Sequence, residues 1–204
     1  MVLSIAEIKE IITNFLSKHS NKLECKVYEY EEKIHREGEQ TPKIYIIKEG
    51  VFRIGKLDTP ILNTTLDFCF ESQVLMPILS IHNDYISLFE LKSIENNISN
   101  RNSIYEISLE QWKSFVEKDE TLEALPMSVL HNNLSKLVNI LTTLRQNRKT
   151  EELFSKMYKE EHPILNSGIN EKYIAEYFGV SISFLRQMFT NARLNKKITK
   201  KTKK

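Results

Sequence analysis

One stripe of apolar residues constrains this chain more than any other feature of its sequence. Its members are spaced alternately three and four residues apart: Met127, Leu130, Leu134, Leu137, Leu141 and Leu144. This spacing puts them on one side of a helix and is typical of a coiled-coil seam. We expect a second copy of the chain to cover the seam in a two-fold dimer. The alternative is that the seam packs on the chain's own N-terminal part.

The residues before this seam have the pattern of a β-rich domain. Residues 4–19 have the spacing of an amphipathic helix. Short β-rich runs follow at 27–30, 34–36, 43–48, 51–54, 61–70, 86–94 and 103–107. Glu49-Gly50, between two of these runs, predicts the turn of a β-hairpin. Ser108 with Gln111 three residues later predicts a capping box, and hence a helix that begins after Ser108.

From about Ser108 onward the sequence pattern is helical. Pro126 marks a kink or the start of the long seam helix. Residues 145–163 have the pattern of a charged hinge and a short helix that Pro163 ends, and the last helical segment opens at Asn170.

The window EKYIAEYFGVSISFLRQMFT, residues 171–190, has the pattern of a helix-turn-helix. Ala175 is the small residue needed where the two helices cross, and Gly179 suits a tight turn that favours positive φ. The remaining apolar residues fall where the second helix packs on the first: Ile174, Phe178, Val180, Leu185 and Met188. A helix-turn-helix places its second helix, about 181–192 here, in the major groove of DNA.

The outward side of that second helix carries side chains suited to DNA. The candidate DNA-binding residues are Ser181, Ile182, Ser183, Arg186, Gln187, Thr190, Asn191 and Arg193. Arg186 can bind guanine edges or phosphate, and Gln187 can bind adenine. The hydroxyls of Ser181 and Thr190 suit phosphate contacts. The alternative for Arg186 is an ordinary solvated surface charge.

Basic residues are concentrated at the C-terminus. Seven of the 29 Lys and Arg lie from Arg193 to Lys204, where there is no acid, so the other 192 residues hold 22 basic and 27 acidic residues. A tail of this charge can follow a phosphate backbone by electrostatics alone. The alternative is a disordered, solvated end.

The order of these parts resembles the Crp/Fnr family of transcription regulators over roughly residues 25–192. KIHREGEQTPKIYIIKEGVFRIGK is similar to the family's first β-roll hairpins, and IYEISLEQWKSFVEK to its last roll strand and the following helix. The resemblance implies an α+β fold with an N-terminal double-stranded β-helix, a jelly-roll-like β-roll flanked by helices. It also implies a long dimerisation helix and a C-terminal all-α helix-turn-helix domain.

The resemblance divides the chain into four parts. These are a cyclic-nucleotide-binding-like sensor domain at 1–118, a dimerisation helix at 119–147, a DNA-binding domain at 148–192 and a basic tail at 193–204. The implied function is a homodimeric regulator that binds a two-fold site in double-stranded DNA with the helix at 181–192.

The region matching the family's effector site departs from the family pattern. Cyclic-nucleotide binders of the family carry a Gly-Glu pair and, several residues later, an Arg that neutralises the cyclic phosphate. LDFCFESQVLMPILSIHNDYISLFE has no glycine here, and no Lys or Arg occurs from Leu57 to Leu91. Because a buried anion without a cation is costly, we expect no cAMP or cGMP binding. An unknown small-molecule effector remains possible as a partner, and its candidate pocket residues are Glu71, Phe70, Leu75 and Met76. The alternative is that this apolar run is simply core.

The DNA-binding region departs from the family as well. The family often has Arg and Glu early in the recognition helix and another Arg one turn later, whereas this chain has Ile182, Ser183 and Gln187. A β-wing after the helix is also missing, and the basic tail is a candidate substitute. These departures keep an alternative open: an effector-sensing or protein-interaction dimer whose degenerate helix-turn-helix does not recognise DNA specifically.

The sequence patterns argue against other classes. The histidines lack the spacing of a metal site or catalytic triad: His19, His35, His82, His131 and His162. No phosphate-binding loop or nucleophile motif occurs, so we expect no enzyme, no metal and no cofactor. Cys25 and Cys69 are expected to stay reduced. No apolar run approaches the ~20 residues that span a bilayer, and the N-terminal pattern is not that of a signal peptide, so we expect a cytoplasmic protein with no membrane partner.

Overall fold

The computed structural model describes residues 2–36, 43–57, 63–75, 90–144 and 147–201. The strands are β1 (Glu24–Tyr28), β2 (Lys33–His35), β3 (Lys43–Glu49), β4 (Phe52–Leu57), β5 (Asn63–Cys69), β6 (Val74–Leu75), β7 (Glu90–Ser93) and β8 (Asn102–Ser108). The helices are α1 (Ile5–His19), α2 (Leu109–Val116), α3 (Leu125–Leu144), α4 (Asn147–Lys159), α5 (Pro163–Asn166), α6 (Glu171–Phe178) and α7 (Ile182–Lys201).

The strands form two four-stranded antiparallel sheets that face each other. The first sheet has the order β1-β8-β3-β6, and the second has the order β2-β7-β4-β5. The buried side chains between them are Tyr45, Ile47, Phe52, Cys69, Leu75, Leu91 and Ile104. With the helices that follow, this arrangement confirms the predicted α+β fold with an N-terminal β-roll.

Each sheet also buries its outer face under helices. The first sheet packs against α1, α2 and the start of α3, with Ile46 and Ile107 in one buried cluster with Phe15, Trp112 and Leu125. The second sheet packs against the C-terminal helices. There Val51, Phe68 and Ile94 share a buried cluster with side chains of α4–α7. The C-terminal helices are therefore held on the roll and do not stand apart from it.

The hairpin predicted around Glu49-Gly50 is wrong. β3 pairs with β6 and β8, whereas β4 pairs with β5 and β7, so the two strands lie in opposite sheets. Gly50, with φ +92°, turns the chain from the first sheet to the second. The backbone N–H of Val51 then donates to Oδ1 of Asn102 at 3.1 Å, which fixes the crossing.

The helix boundaries follow local signals, with one exception. The capping box of Ser108 and Gln111 is confirmed, and Ser4 with Glu7 forms another at the start of α1. Pro126 lies at the start of α3. Pro163 does not end a helix as predicted, because α4 has already ended at Lys159 and Pro163 begins α5. Proline suits this first helical position, where its missing N–H has no intrahelical partner.

Two glycines with positive φ provide a matched test of the crossing at Gly50. A Cβ at Gly50 would overlap the Asn102 side chain and lie 2.9 Å from the carbonyl oxygen of Arg101, whereas a Cβ at Gly179, φ +63°, would meet nothing within 4 Å. We expect Gly179→Ala to lower the free energy of unfolding by about 1–2 kcal/mol, the cost of the left-handed conformation alone. Gly50→Ala should cost clearly more, measured by urea unfolding at one protein concentration. Equal costs would contradict the role given to Gly50.

Candidate nucleic-acid interface

Local hydrogen bonds define both helices of the predicted helix-turn-helix. Oδ1 of Asn170 accepts from the backbone N–H of Lys172 at 2.9 Å and begins α6. Gly179 ends α6 in the left-handed conformation, and the N–H of Val180 donates to the carbonyl of Ala175 at 3.0 Å. This is the Schellman arrangement of a helix C-terminus. The Ser181 hydroxyl then accepts from the N–H of Phe184 at 3.2 Å and begins α7.

The inner side of this unit matches the sequence prediction. The residues predicted to pack between the helices are buried, with Val180 partly buried against them: Ile174, Ala175, Phe178, Leu185 and Met188. Phe154 of α4 completes the core and meets the rings of Phe178 and Phe189 edge-on. The core of the helix-turn-helix therefore includes α4 and is continuous with the apolar outer face of the second sheet.

The outer side of α7 is open. Every candidate DNA-binding residue is exposed: Ser181, Ile182, Ser183, Arg186, Gln187, Thr190, Asn191 and Arg193. Two of these residues use their hydroxyls in hydrogen bonds within the helix or at its start. Ser181 caps α7, and the Thr190 hydroxyl donates to the carbonyl of Arg186 at 3.0 Å. The remaining polar side chains form a continuous surface along the first three turns of α7.

One contact on this surface was not anticipated from the sequence. Nε of Arg186 donates to Oε2 of Glu171 at 2.7 Å, and the side chains are 68% and 43% exposed. Glu171 is the first residue of α6, and it comes next to Arg186 because the two helices cross there. Arg186 is therefore exposed to solvent but also paired with Glu171, so it is not a solitary surface charge.

The basic tail continues the second helix. α7 was expected to end near residue 192, but its backbone stays helical to Lys201. The tail residues up to Lys201 are therefore helical, which corrects the alternative of a disordered end for that stretch. Lys196, Lys197, Lys200 and Lys201 lie within the extension.

Two of the three described side chains of the predicted seam on α3 are exposed. Met127 is 64% exposed and Leu134 is 50% exposed, while Leu130 is partly buried. The side chains of Leu137, Leu141 and Leu144 lie outside the described residues. Leu125 and Val129, on another side of α3, are the ones buried against the roll. The alternative that the seam packs on the chain's own β-domain is therefore wrong for Met127 and Leu134.

A cavity of about 440 Å³ lies between α1, α3 and the roll near the candidate effector residues. Glu71 and Leu75 line it, together with Ile5, Ile8, Lys9, Ile54, Asp67, Cys69, Ser72, Gln73, Val74, Val129, Asn132 and Asn133. Phe70 does not, since it packs against the C-terminal cluster instead, and Met76 lies outside the described residues. The described lining has two carboxylates, Asp67 and Glu71, and one cation, Lys9.

The described part of the chain contains no group of three or more His, Cys, Asp or Glu side chains arranged to hold a metal ion. Among the same residues, no helix has the length and apolar character needed to cross a membrane. Cys25 is exposed and Cys69 is buried, and neither forms a disulfide bond. The segment with His82, Asn83 and Asp84 lies outside the described residues.

Comparison with known proteins identifies the fold. No family model matches the sequence, and no curated protein matches it either. Among solved structures, FixK2 from Bradyrhizobium japonicum matches with a TM-score of 0.67 and 13% identity over 85% of each chain. A CooA mutant from Carboxydothermus hydrogenoformans matches with a TM-score of 0.65 and 12% identity, over 89% of this chain and 84% of that one.

A third match is the structure of a global regulator. The c-di-GMP-responsive global regulator CLP, which links cell–cell signalling to virulence gene expression in Xanthomonas campestris, matches with a TM-score of 0.64 and 12% identity. The alignment covers 90% of this chain and 92% of that one. All three are Crp/Fnr-family regulators, so the Crp/Fnr fold predicted from the sequence is confirmed. At these identities the likeness is one of fold.

Proposed function

We propose that this chain, which has the fold of Crp/Fnr regulators, is a homodimeric DNA-binding transcription regulator. The observation that carries the proposal is the outer face of α7: eight candidate DNA-binding residues stand exposed on a helix-turn-helix whose inner face is fully packed. A helix presented in this way fits the major groove. The exposed Met127 and Leu134 support a dimer through α3, because large apolar side chains on one helix face favour a partner.

The geometry suggests how such a dimer works. Two copies of α3 pack along the seam, and their separation and tilt set the distance between the two α7 helices. Binding of a two-fold site requires this distance to match one turn of duplex, ~34 Å. Arg186 and Gln187 contact base edges, while Ser183 and Asn191 contact phosphates. The lysines of the α7 extension add sequence-independent attraction to the phosphate backbone.

Control by cAMP or cGMP does not fit this chain. A cyclic phosphate in the cavity beside α3 would meet Asp67 and Glu71, with Lys9 as the one cation in the described lining. Two carboxylates near a buried phosphate oppose binding. A small-molecule effector, if one binds there, carries little negative charge. It would act by shifting the equilibrium between two arrangements of the α3 helices.

Selection of bound sequences from a random duplex pool tests the proposal. At near-physiological salt and without added ligand, we expect recovery of an inverted repeat whose half-sites lie ~10 base pairs apart, as the dimer geometry requires. A pool that stays unenriched would contradict recognition of DNA by the ligand-free dimer. It would favour the alternative of an interaction dimer whose helix-turn-helix does not recognise DNA specifically.

The seam can be tested apart from the DNA surface. Leu134→Lys puts like charges opposite each other across the proposed dimer and should convert it to a monomer, with a loss of two-fold-site affinity of at least ~100-fold. Val27→Lys is the control, because Val27 is also exposed, at 59%, but lies on edge strand β1. Sedimentation and DNA titration provide the measurements. A Leu134→Lys monomer that still binds the two-fold site tightly would refute the scheme.

We expect substitutions of Arg186 and of its ion-pair partner Glu171 to change DNA affinity in opposite directions. Arg186→Ala should lower specific DNA affinity by about 1–3 kcal/mol. Glu171→Gln should raise affinity modestly, since it removes an anion that competes with DNA for Arg186 and contributes little stability as an exposed pair. Glu110→Gln, at an exposed position in the first turn of α2, is the matched control. Titration of the selected site would measure all three. If Glu171→Gln lowers affinity, Glu171 orients Arg186 and does not compete with DNA.

A further inference from the structure

Arg53 is the largest fully buried side chain of the described residues, with 1% of its surface exposed. It lies on β4, in the second sheet of the roll, which packs against the helix-turn-helix. A guanidinium keeps its positive charge in any protein environment, so its burial is costly unless acceptors surround it. The partners of Arg53 therefore indicate the role of this residue.

Those partners come from both parts of the molecule. Nε of Arg53 donates to Oγ1 of Thr65 at 2.7 Å, and Nη1 lies 3.7 Å from Oε1 of the buried Glu90. Nη2 donates to Oε2 of Glu176 on α6 at 3.1 Å. The Thr65 hydroxyl donates to the same Glu176 oxygen at 2.7 Å. One carboxylate of the helix-turn-helix thus accepts two hydrogen bonds from the roll.

A tyrosine of α6 covers the guanidinium. The Arg53 guanidinium lies over the Tyr173 ring, 5.1 Å from its centroid, in a cation–π contact. The Tyr173 hydroxyl donates to Oε2 of Glu31 at 2.6 Å, and Lys92 pairs with the same carboxylate. Burial, and then the hydrogen bond to Glu31, raises the pKa of Tyr173 well above its ordinary value, so the phenol stays a donor. We call Arg53, Thr65, Glu90, Tyr173 and Glu176 the Arg53 cluster.

Gly55 makes room for this arrangement. It lies on β4 two residues after Arg53, and a Cβ there would lie 2.5 Å from Nη1 and 2.8 Å from Cζ of Arg53. The guanidinium cannot move aside easily, because Thr65, Glu176 and Tyr173 hold it. A glycine inside a strand is ordinarily unfavourable. Here it permits the close approach of a buried charge.

We propose that Arg53 is a positioning residue for DNA recognition: it fixes α6, and through α6 the crossing helix α7, at one orientation on the roll. This inference rests on the proposed function. The outer face of α7 stays exposed while α6 is docked, so the Arg53 cluster orients the recognition surface without covering it. Loss of the Arg53 cluster leaves the apolar contacts between the roll and the helix-turn-helix but removes the polar contacts that fix one orientation.

The test compares variants that disturb the Arg53 cluster in different ways. Arg53→Met removes the charge, Glu176→Gln keeps the shape of its partner, and Gly55→Ala displaces the guanidinium without removing a charged group. Arg101→Met is the control, because Arg101 also forms an ion pair with a glutamate, Glu49, at 2.9 Å but is 61% exposed. If Arg53→Met does not fold, Gly55→Ala and Glu176→Gln carry the test.

Two measurements separate docking from DNA binding. Hydrogen exchange of the DNA-free protein should rise at least ~10-fold in peptides of β5 and α6, and remain unchanged in α2, since breaking a buried ion pair is strongly destabilising. The ratio of affinities for the selected site and for random duplex should fall ~10-fold or more, with random-duplex affinity unchanged. Double variants of Gly55→Ala with Glu176→Gln should be less than additive, because both act on one guanidinium.

Each other outcome overturns the inference. Unchanged exchange in α6 would show that the Arg53 cluster does not hold the docked state. Faster exchange with an unchanged affinity ratio would show that docking is merely structural, and a higher ratio would show that it restrains binding. A wild-type protein that binds no DNA would refute the proposed function and, with it, the role in DNA recognition. The exchange comparison would still decide whether Arg53 docks α6.

Discussion

The burial of the second sheet's outer face under the C-terminal helices is the interaction on which the rest of the structure depends. Phe68 of β5 contacts the ring of Tyr177 on α6 at a centroid distance of 5.7 Å, and both belong to the cluster that forms the helix-turn-helix core. Full burial of an aromatic side chain contributes roughly 1.5–3 kcal/mol. The N–H of Asn97 also donates to the Ser167 carbonyl at 2.8 Å across this boundary. The β-roll is thus the surface on which α6 and α7 are held.

The long helix α3 joins this unit to the proposed dimer by presenting different residues on different sides. Leu125 and Val129 are buried against α1, and the N-terminal segment is tied to α3 by hydrogen bonds from Leu3 to Ser128 and from Asn132 back to Leu3. Met127 and Leu134 face away from the roll and stay exposed. A change at the cavity between α1 and α3 would therefore reach the proposed dimer seam through one rigid element. This is how an effector could bias the separation of two recognition helices.

Local signals made part of this molecule predictable. The helix-turn-helix could be recognised because its turn and the apolar residues between its helices lie within one window of 20 residues. The capping box of Ser108 could be recognised from four residues. The pairing of β3 and β4 with different sheets was missed, because alternation of apolar residues indicates a strand but not its neighbour. The prediction that Phe70 lines an effector pocket was wrong for the same reason. Which face of the roll a side chain occupies depends on how the strands pair, and the alternation of apolar residues does not give that pairing. The role of Arg53 could not be predicted, because its partner Glu176 lies 123 positions away, beyond the range of any periodic pattern.

In the proposed dimer, two copies of α7, joined through α3 and held on their rolls, enter successive major grooves on one face of DNA. Hydroxyl-radical footprinting of the selected duplex tests this arrangement. We expect two protected backbone regions related by two-fold symmetry, with centres ~10 base pairs apart. A single protected region, or uniform weak protection, would contradict it.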